Sequence, residues 1–213
     1  METPDTPEQL VERLPPYFTI SILAKRNMGK TFYTTALIKA LQKQKRVDKI
    51  VILSGSAGLN DDYKDVVPHQ FILPFSDSTL ENIWNLQVET EKDDREHILI
   101  VLDDCLADAE ARSSHMIDKY YSQGRHIQTS LIVLSQYGSF LLTPLRLSNS
   151  DIILWCKLNK RALEKLHLST SGISRDDFIR LSNTFSNGEF TYMLLDNYIR
   201  SNHVEHQFSF TRA

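Results

Sequence analysis

Apolar runs alternate with polar, helix-patterned segments along most of the chain. Residues 17–23 (YFTISIL) are aromatic and branched and read as a strand, and residues 29–44 place Ala36, Leu37, Ala40 and Leu41 at helical spacing. A second apolar run covers 49–53 (KIVIL), followed by a polar, glycine-bearing loop over 54–65 and a weaker strand over 69–73. Ser76 can cap a helix running to about 91, with Leu80, Ile83, Trp84 and Leu86 near one side. Residues 98–102 (ILIVL) are almost purely apolar, as in a strand buried on both faces. A helix over 107–122 buries Met116, Ile117, Tyr120 and Tyr121 and ends near Gly124. Strands follow over 129–134 and 151–155, then short helices over 160–167 and 175–181. Edge strands over 190–195 and 204–211, turning near Asp196 and Asn197, close the chain. This alternation predicts one α/β domain, residues 18–213, with a mainly parallel sheet covered on both faces and a small antiparallel edge. The polar, proline-punctuated residues 1–17 read as an N-terminal arm.

Composition narrows the classes. The 213 residues are 41% hydrophobic and 24% charged, enough to bury a sizeable core, and one domain is the default. No stretch approaches the roughly 20 apolar residues of a membrane span, and the N-terminal residues lack a signal-peptide pattern, so neither secretion nor membrane insertion is expected. Cys105 and Cys156 form no CxxC pair and are expected as buried thiols in a reducing compartment. A net charge of -3 argues against a generally basic nucleic-acid coat protein while leaving room for a local basic surface. The histidines and cysteines show no zinc spacing, and His203 and His206 fall in the expected edge turn.

The chemistry concentrates at strand ends. Ala24-Lys25-Arg26-Asn27-Met28-Gly29-Lys30-Thr31 stands after a strand and before a helix, where a phosphate loop belongs. Backbone N–H groups of such a loop curl around the β-phosphate, the lysine reaches β- and γ-oxygens, and the threonine hydroxyl ligates magnesium. Residues 25–31 are therefore the candidate nucleotide-binding loop. Ala24 departs from the usual initial glycine, so the chain must enter through a conformation that a Cβ tolerates. Asp103 and Asp104 end the apolar strand 98–102; the first suits a water-mediated magnesium ligand, the second a base for the attacking water. Glutamate is the usual second acid, and the bland alternative for the pair is a solvated strand end. Ser135-Gln136 ends the strand expected to lie between the loop strand and the acidic one, making Gln136 a candidate γ-phosphate sensor. Arg125, after Gly124, and Arg146, beyond Gln136, are candidates for an arginine supplied to a neighbouring subunit; each reads equally well as a surface or helix-end cation.

The series resembles the FtsK/HerA superfamily of DNA-pumping ATPases, most closely the genome-packaging ATPases of poxviruses, other large nucleocytoplasmic DNA viruses and virophages. The resemblance rests on AKRNMGKT, ILIVLDDC, QGRH followed by TSLIVLSQY, and TPLRLSNSDIILWCKLNKRALEKL, and covers residues 18 to about 168. It implies a three-layer, RecA-like P-loop NTPase fold and ATP hydrolysis with magnesium. Lys30, Asp103, Asp104 and Gln136, with Arg125 or Arg146 from a neighbour, match the family's working positions. It further implies a homo-oligomeric ring, double-stranded DNA and a capsid or vertex protein as partners, and a place in the host cytoplasm, at viral factories, and in the virion. Lys157, Lys160, Arg161 and Lys165 could contact DNA phosphates, although such a cluster is more often a solvated helix face.

Other classes fit less well. A GTPase would need Asn-Lys-x-Asp, and Asn159-Lys160-Arg161-Ala162 lacks the acid. A small-molecule P-loop kinase suits the length but would normally show an arginine-rich lid, whereas the basic residues here are scattered. A nucleotide-binding module activated by a protein partner would keep Lys30 and Thr31 without needing the paired acids and Gln136 together.

Overall fold

The computed structural model describes residues 5–57, 62–105, 109–136, 142–168, 173–185, 190–198 and 207–212. Helix α1 (Pro7–Arg13) starts with Pro at its first turn and a capping box between Thr6 and Gln9. Strand β1 (Thr19–Ala24) leads to α2 (Lys30–Lys43), and β2 (Lys49–Ser54) to a 3₁₀ turn at His69–Phe71 and the two-residue β3 (Ile72–Leu73). Helix α3 (Asp77–Glu89) precedes β4 (Ile98–Asp103). Two helices then replace the single one expected: α4 (Ala109–Ser113) and α5 (His115–Gln123), because Ser114 leaves the helical backbone and caps α5 by accepting from Ile117 N–H. After β5 (Thr129–Ser135) come α6 (Pro144–Ser148), β6 (Ile152–Cys156), α7 (Lys160–His167), α8 (Arg175–Phe185), β7 (Thr191–Asp196) and β8 (Phe208–Arg212). His203, His206, residues 137–141 and the first residues of the expected 107–122 helix and 204–211 strand lie outside the described residues.

The strands form one sheet in the order β3-β2-β4-β5-β1-β6-β7-β8, parallel from β3 through β6 and antiparallel at β7 and β8. Every residue of β1, β4, β5 and β6 is buried, as suits their largely apolar sequences. Alternate residues divide between two cores. Ile20, Ile22, Leu99 and Val101 pack with α1 and α2, whereas Leu23, Ile100, Leu102 and Trp155 pack with α3, α5, α7 and α8. The result is three layers, helices over both faces of one sheet.

Residues 5–14, expected in a polar arm, belong to the folded body. Leu10, Val11 and Leu14 recur at helical spacing and are buried beside α2. The Arg46 guanidinium donates to the carbonyls of Val11, Leu14 and Pro15 at 2.8, 2.9 and 2.8 Å, and Asp5 N–H donates to the Phe210 carbonyl at 2.9 Å. The prolines at 15 and 16 end α1 without detaching it. Leu10→Ala should therefore destabilise the whole domain by about 2–5 kcal/mol, the cost of a core truncation, in a chemical-denaturation measurement. A change near zero would mean that α1 is dispensable to the fold.

Candidate functional site

The strand that opens the sheet also delivers the loop. Ala24 remains within β1, buried and paired with Cys156, and its φ is not left-handed, so the missing glycine costs the backbone nothing. The left-handed residues are Asn27, at φ 59°, and Gly29, at φ 76°. Gly29 needs glycine twice, for that φ and because an added Cβ would stand 2.4 Å from Phe190 Cδ1. The chain turns there into α2, whose first turn receives no side-chain cap from Gly29.

Lys30 is buried, and its ammonium donates to the carbonyls of Ala24 and Lys25, each at 3.0 Å. Burial lowers its pKa, and the nearby Asp103 and Asp104 carboxylates pull it back. Asp103 ends β4 and is 7% exposed. Its Oδ2 accepts from Thr31 Oγ1 at 3.1 Å and from Tyr63 Oη at 2.8 Å. Burial pushes its pKa above the ordinary value of 3.8, against these two hydrogen bonds and the charge of Lys30. The next residue, Asp104, turns left-handed at φ 54°, which aims its carboxylate away from the strand into solvent. Gln136 Nε2 donates to Asp104 Oδ1 at 2.7 Å. Gly55, after β2, fits against this turn: a Cβ there would stand 2.5 Å from the Asp104 carbonyl oxygen.

These groups line one cleft of about 320 Å³ at the carboxyl ends of β1, β4 and β5, with Arg26, Asn27, Gly29, Lys30, Thr31, Asp103, Asp104 and Gln136 in its wall. Lys25 and Met28 belong to the loop without lining the cleft. The Met28 side chain packs on the α1/α2 core while its carbonyl accepts from Tyr192 Oη. No group of three or more His, Cys, Asp or Glu capable of holding a metal occurs among the described residues. Thr31 Oγ1 and Asp103 Oδ2 are nevertheless adjacent hard oxygens, the sparse donor set with which proteins hold magnesium alongside phosphates.

The structure brings the two arginines elsewhere. Arg125 sits in the 3₁₀ turn Gly124–Ile127, exposed, near Asp151 at the amino ends of β1, β5 and β6. Arg146, in α6, is 4% exposed and its Nε donates to Asp118 Oδ1 at 2.7 Å. Lys157 follows β6 at φ 49°, while Lys160, Arg161 and Lys165 are exposed on α7. Two site residues escape a motif reading. Tyr63 lies in the polar loop after β2, with only its aromatic character as a signal, and Phe190 belongs to a C-terminal segment read as edge strand.

Residues 9–195 match the family described as Poxvirus A32 protein. The chain belongs to that family. This A32-family chain is 29% identical over 158 residues to the uncharacterized protein 015R of Frog virus 3 (isolate Goorha), covering 71% of the chain and 48% of the relative. It thus spans about half the length of that relative. Identity to the uncharacterized protein 075L of Invertebrate iridescent virus 6 is 25% over 192 residues, covering 86% of the chain and 72% of the relative. In fold, the A32-family chain is similar to the genome packaging NTPase B204 from Sulfolobus turreted icosahedral virus 2 in complex with ATP-gammaS. That match has TM-score 0.64 and 16% identity, covering 93% of this chain and 98% of B204. The chain therefore shares the fold of that NTPase, and its membership of the Poxvirus A32 family agrees with the resemblance read from the motifs. Cys105 and Cys156 are buried thiols outside any disulfide, and burial pushes the Cys105 thiol up to about 12. No helix among the described residues is long and apolar enough to cross a membrane.

Proposed function

We propose that this A32-family chain is an ATP-hydrolysing DNA translocase that packages viral double-stranded DNA into a preformed capsid. The observation that carries the reading is the convergence of Lys30, Thr31, Asp103, Asp104 and Gln136, from two strand ends and the start of one helix, in a single cleft. ATP would seat its phosphates on the 25–31 loop. Lys30 would exchange its two carbonyl acceptors for phosphate oxygens, so its charge, already held in place, acts where negative charge builds up. Magnesium, when bound with the nucleotide, neutralises phosphate charge, and Thr31 Oγ1 and Asp103 would hold it. Asp104, exposed in the cleft wall, would accept the proton of the attacking water. Gln136 bonds that same carboxylate, so a γ-phosphate that draws Gln136 away changes the base and the chain beyond β5 together.

A neighbouring subunit would supply an arginine, which requires a homo-oligomeric ring. Exposure favours Arg125, because Arg146 would first have to leave Asp118. The proposed partners are double-stranded DNA and a capsid or vertex protein, and the proposed setting is the host cytoplasm, at viral factories, and the virion. The test is ATP hydrolysis with and without long double-stranded DNA. Stimulation by DNA is the expected result; phosphate transfer to a small acceptor without net hydrolysis would replace the reading with a kinase.

Lys160, Arg161 and Lys165 are the proposed DNA-contacting side chains on α7, joined by Lys157 at the end of β6. Changing Lys160, Arg161 and Lys165 together to Ala should weaken DNA binding across sequences. The slope of log affinity against log salt should become shallower by about 2 to 3, near 0.9 for each DNA phosphate no longer neutralised. An unchanged slope would remove α7 from the DNA surface.

A further inference from the structure

Among the described residues, three large aromatic side chains are strongly exposed, and two of them stand together beside the phosphate loop. Phe32, immediately after Thr31, is 64% exposed, and Phe190, immediately before β7, is 43% exposed. Their ring centroids are 6.3 Å apart. Two aromatic rings left in water at one place need a reason, since a solvent-facing position is ordinarily polar.

The placement of Phe190 is also conformationally costly. Its backbone is left-handed at φ 53°, a region that bulky residues avoid. What holds it there is the strand that follows. Antiparallel pairing with β8 fixes β7 from Thr191 onward, and Tyr192 Oη donates to the Met28 carbonyl, tying β7 to the loop. The Phe190 ring then lies directly over Gly29. The start of β7 is thereby held against the phosphate loop at two successive residues of that loop, Met28 and Gly29.

The two flanks of the loop differ in chemistry. Toward β4 and β5 stand Asp103, Asp104 and Gln136, groups suited to metal, water and the γ-phosphate end. Phe32 and Phe190 make an apolar, π-faced flank. Phosphates seated on the Gly29–Thr31 backbone leave the ribose and base of the same nucleotide to be placed, and a flat heterocycle is the part that gains from aromatic faces.

We infer that Phe32 and Phe190 form the stacking platform for the base of the bound nucleotide, favouring purine nucleoside triphosphates by ring area. This rests on the nucleotide reading of the cleft, and is independent of DNA translocation.

The test is competition against mant-ATP fluorescence, with magnesium, by ATP, UTP and inorganic tripolyphosphate. Wild type should bind ATP more tightly than UTP or tripolyphosphate. Phe32→Ala and Phe190→Ala should each weaken ATP by about five- to a hundredfold, the range that loss of one aromatic–base stack produces, and leave tripolyphosphate unchanged. Phe32→Leu and Phe190→Leu, which keep apolar bulk without a π face, should lose affinity in the same direction, and the Tyr variants should keep it. Thermal melts check folding, which exposed side chains should scarcely affect. ATP affinity unaltered in the Ala variants, or an equal loss for ATP and tripolyphosphate, would overturn the platform while leaving the nucleotide site standing. A wild type that binds no ATP would overturn both.

Discussion

Lys30→Ala should lower ATP turnover by at least about 10²- to 10³-fold, the effect of removing one preorganised donor from a developing negative charge. Its expected signature is a loss of activity without a loss of fold. The Lys30 ammonium is buried and donates to the backbone carbonyls of Ala24 and Lys25, and burial works against its charge. Truncation removes that desolvated charge along with its interactions, so the melting temperature should change little. Nucleotide affinity should fall as well, because the β- and γ-phosphates lose the buried cation of the cleft wall; Arg26, also in that wall, is exposed. Wild-type turnover in this variant would mean that the loop is an ordinary helix start with a lysine in it.

Asp104→Asn should do something different: retain ATP binding while turnover falls by about 10²- to 10⁴-fold, the range for loss of a positioned general base. The substitution suits the site sterically. Asparagine tolerates the left-handed backbone at 104, its Oδ1 still accepts from Gln136 Nε2, and no buried partner is orphaned. Lys30, Thr31 and Asp103 remain as they are, so equilibrium binding of ATP with magnesium should stay within a few-fold of wild type. What disappears is the capacity to take a proton. Turnover close to wild type would move the base elsewhere in the cleft. A parallel loss of binding would show that Asp104 helps to hold the metal rather than activate water.

Much of this site was legible in the chain because its parts sit at strand ends, where an apolar run stops and a functional residue begins. The run 98–102 marks β4 and therefore places Asp103 and Asp104, and 129–134 places Gln136 by the same logic. Strand order was accessible only through the motif series, and the structure puts β5 between β4 and β1 as that series requires. The parts that escaped depend on long-range contact. Tyr63 reaches Asp103 from a loop 40 residues earlier, and no local pattern announces a hydroxyl aimed at a carboxylate. Phe190 and Tyr192 reach the phosphate loop from a segment whose sequence says only edge strand. Helix α1 was hidden by composition: prolines and acids outweighed three apolar residues at helical spacing, and only the burial of Leu10, Val11 and Leu14 shows what they do. Arg146 is the opposite case. Arg146 looks free in a loop that follows Gln136, yet Asp118 from α5 claims it.

The central claim, that ATP hydrolysis in this cleft drives movement along DNA, is tested most directly by displacement of a third strand from a long duplex. Wild type with ATP and magnesium should displace it after a delay that lengthens with its distance from the duplex end, and Lys30→Ala, or wild type with ATP-gammaS, should not. Brisk ATP hydrolysis with no displacement at any distance would contradict the account.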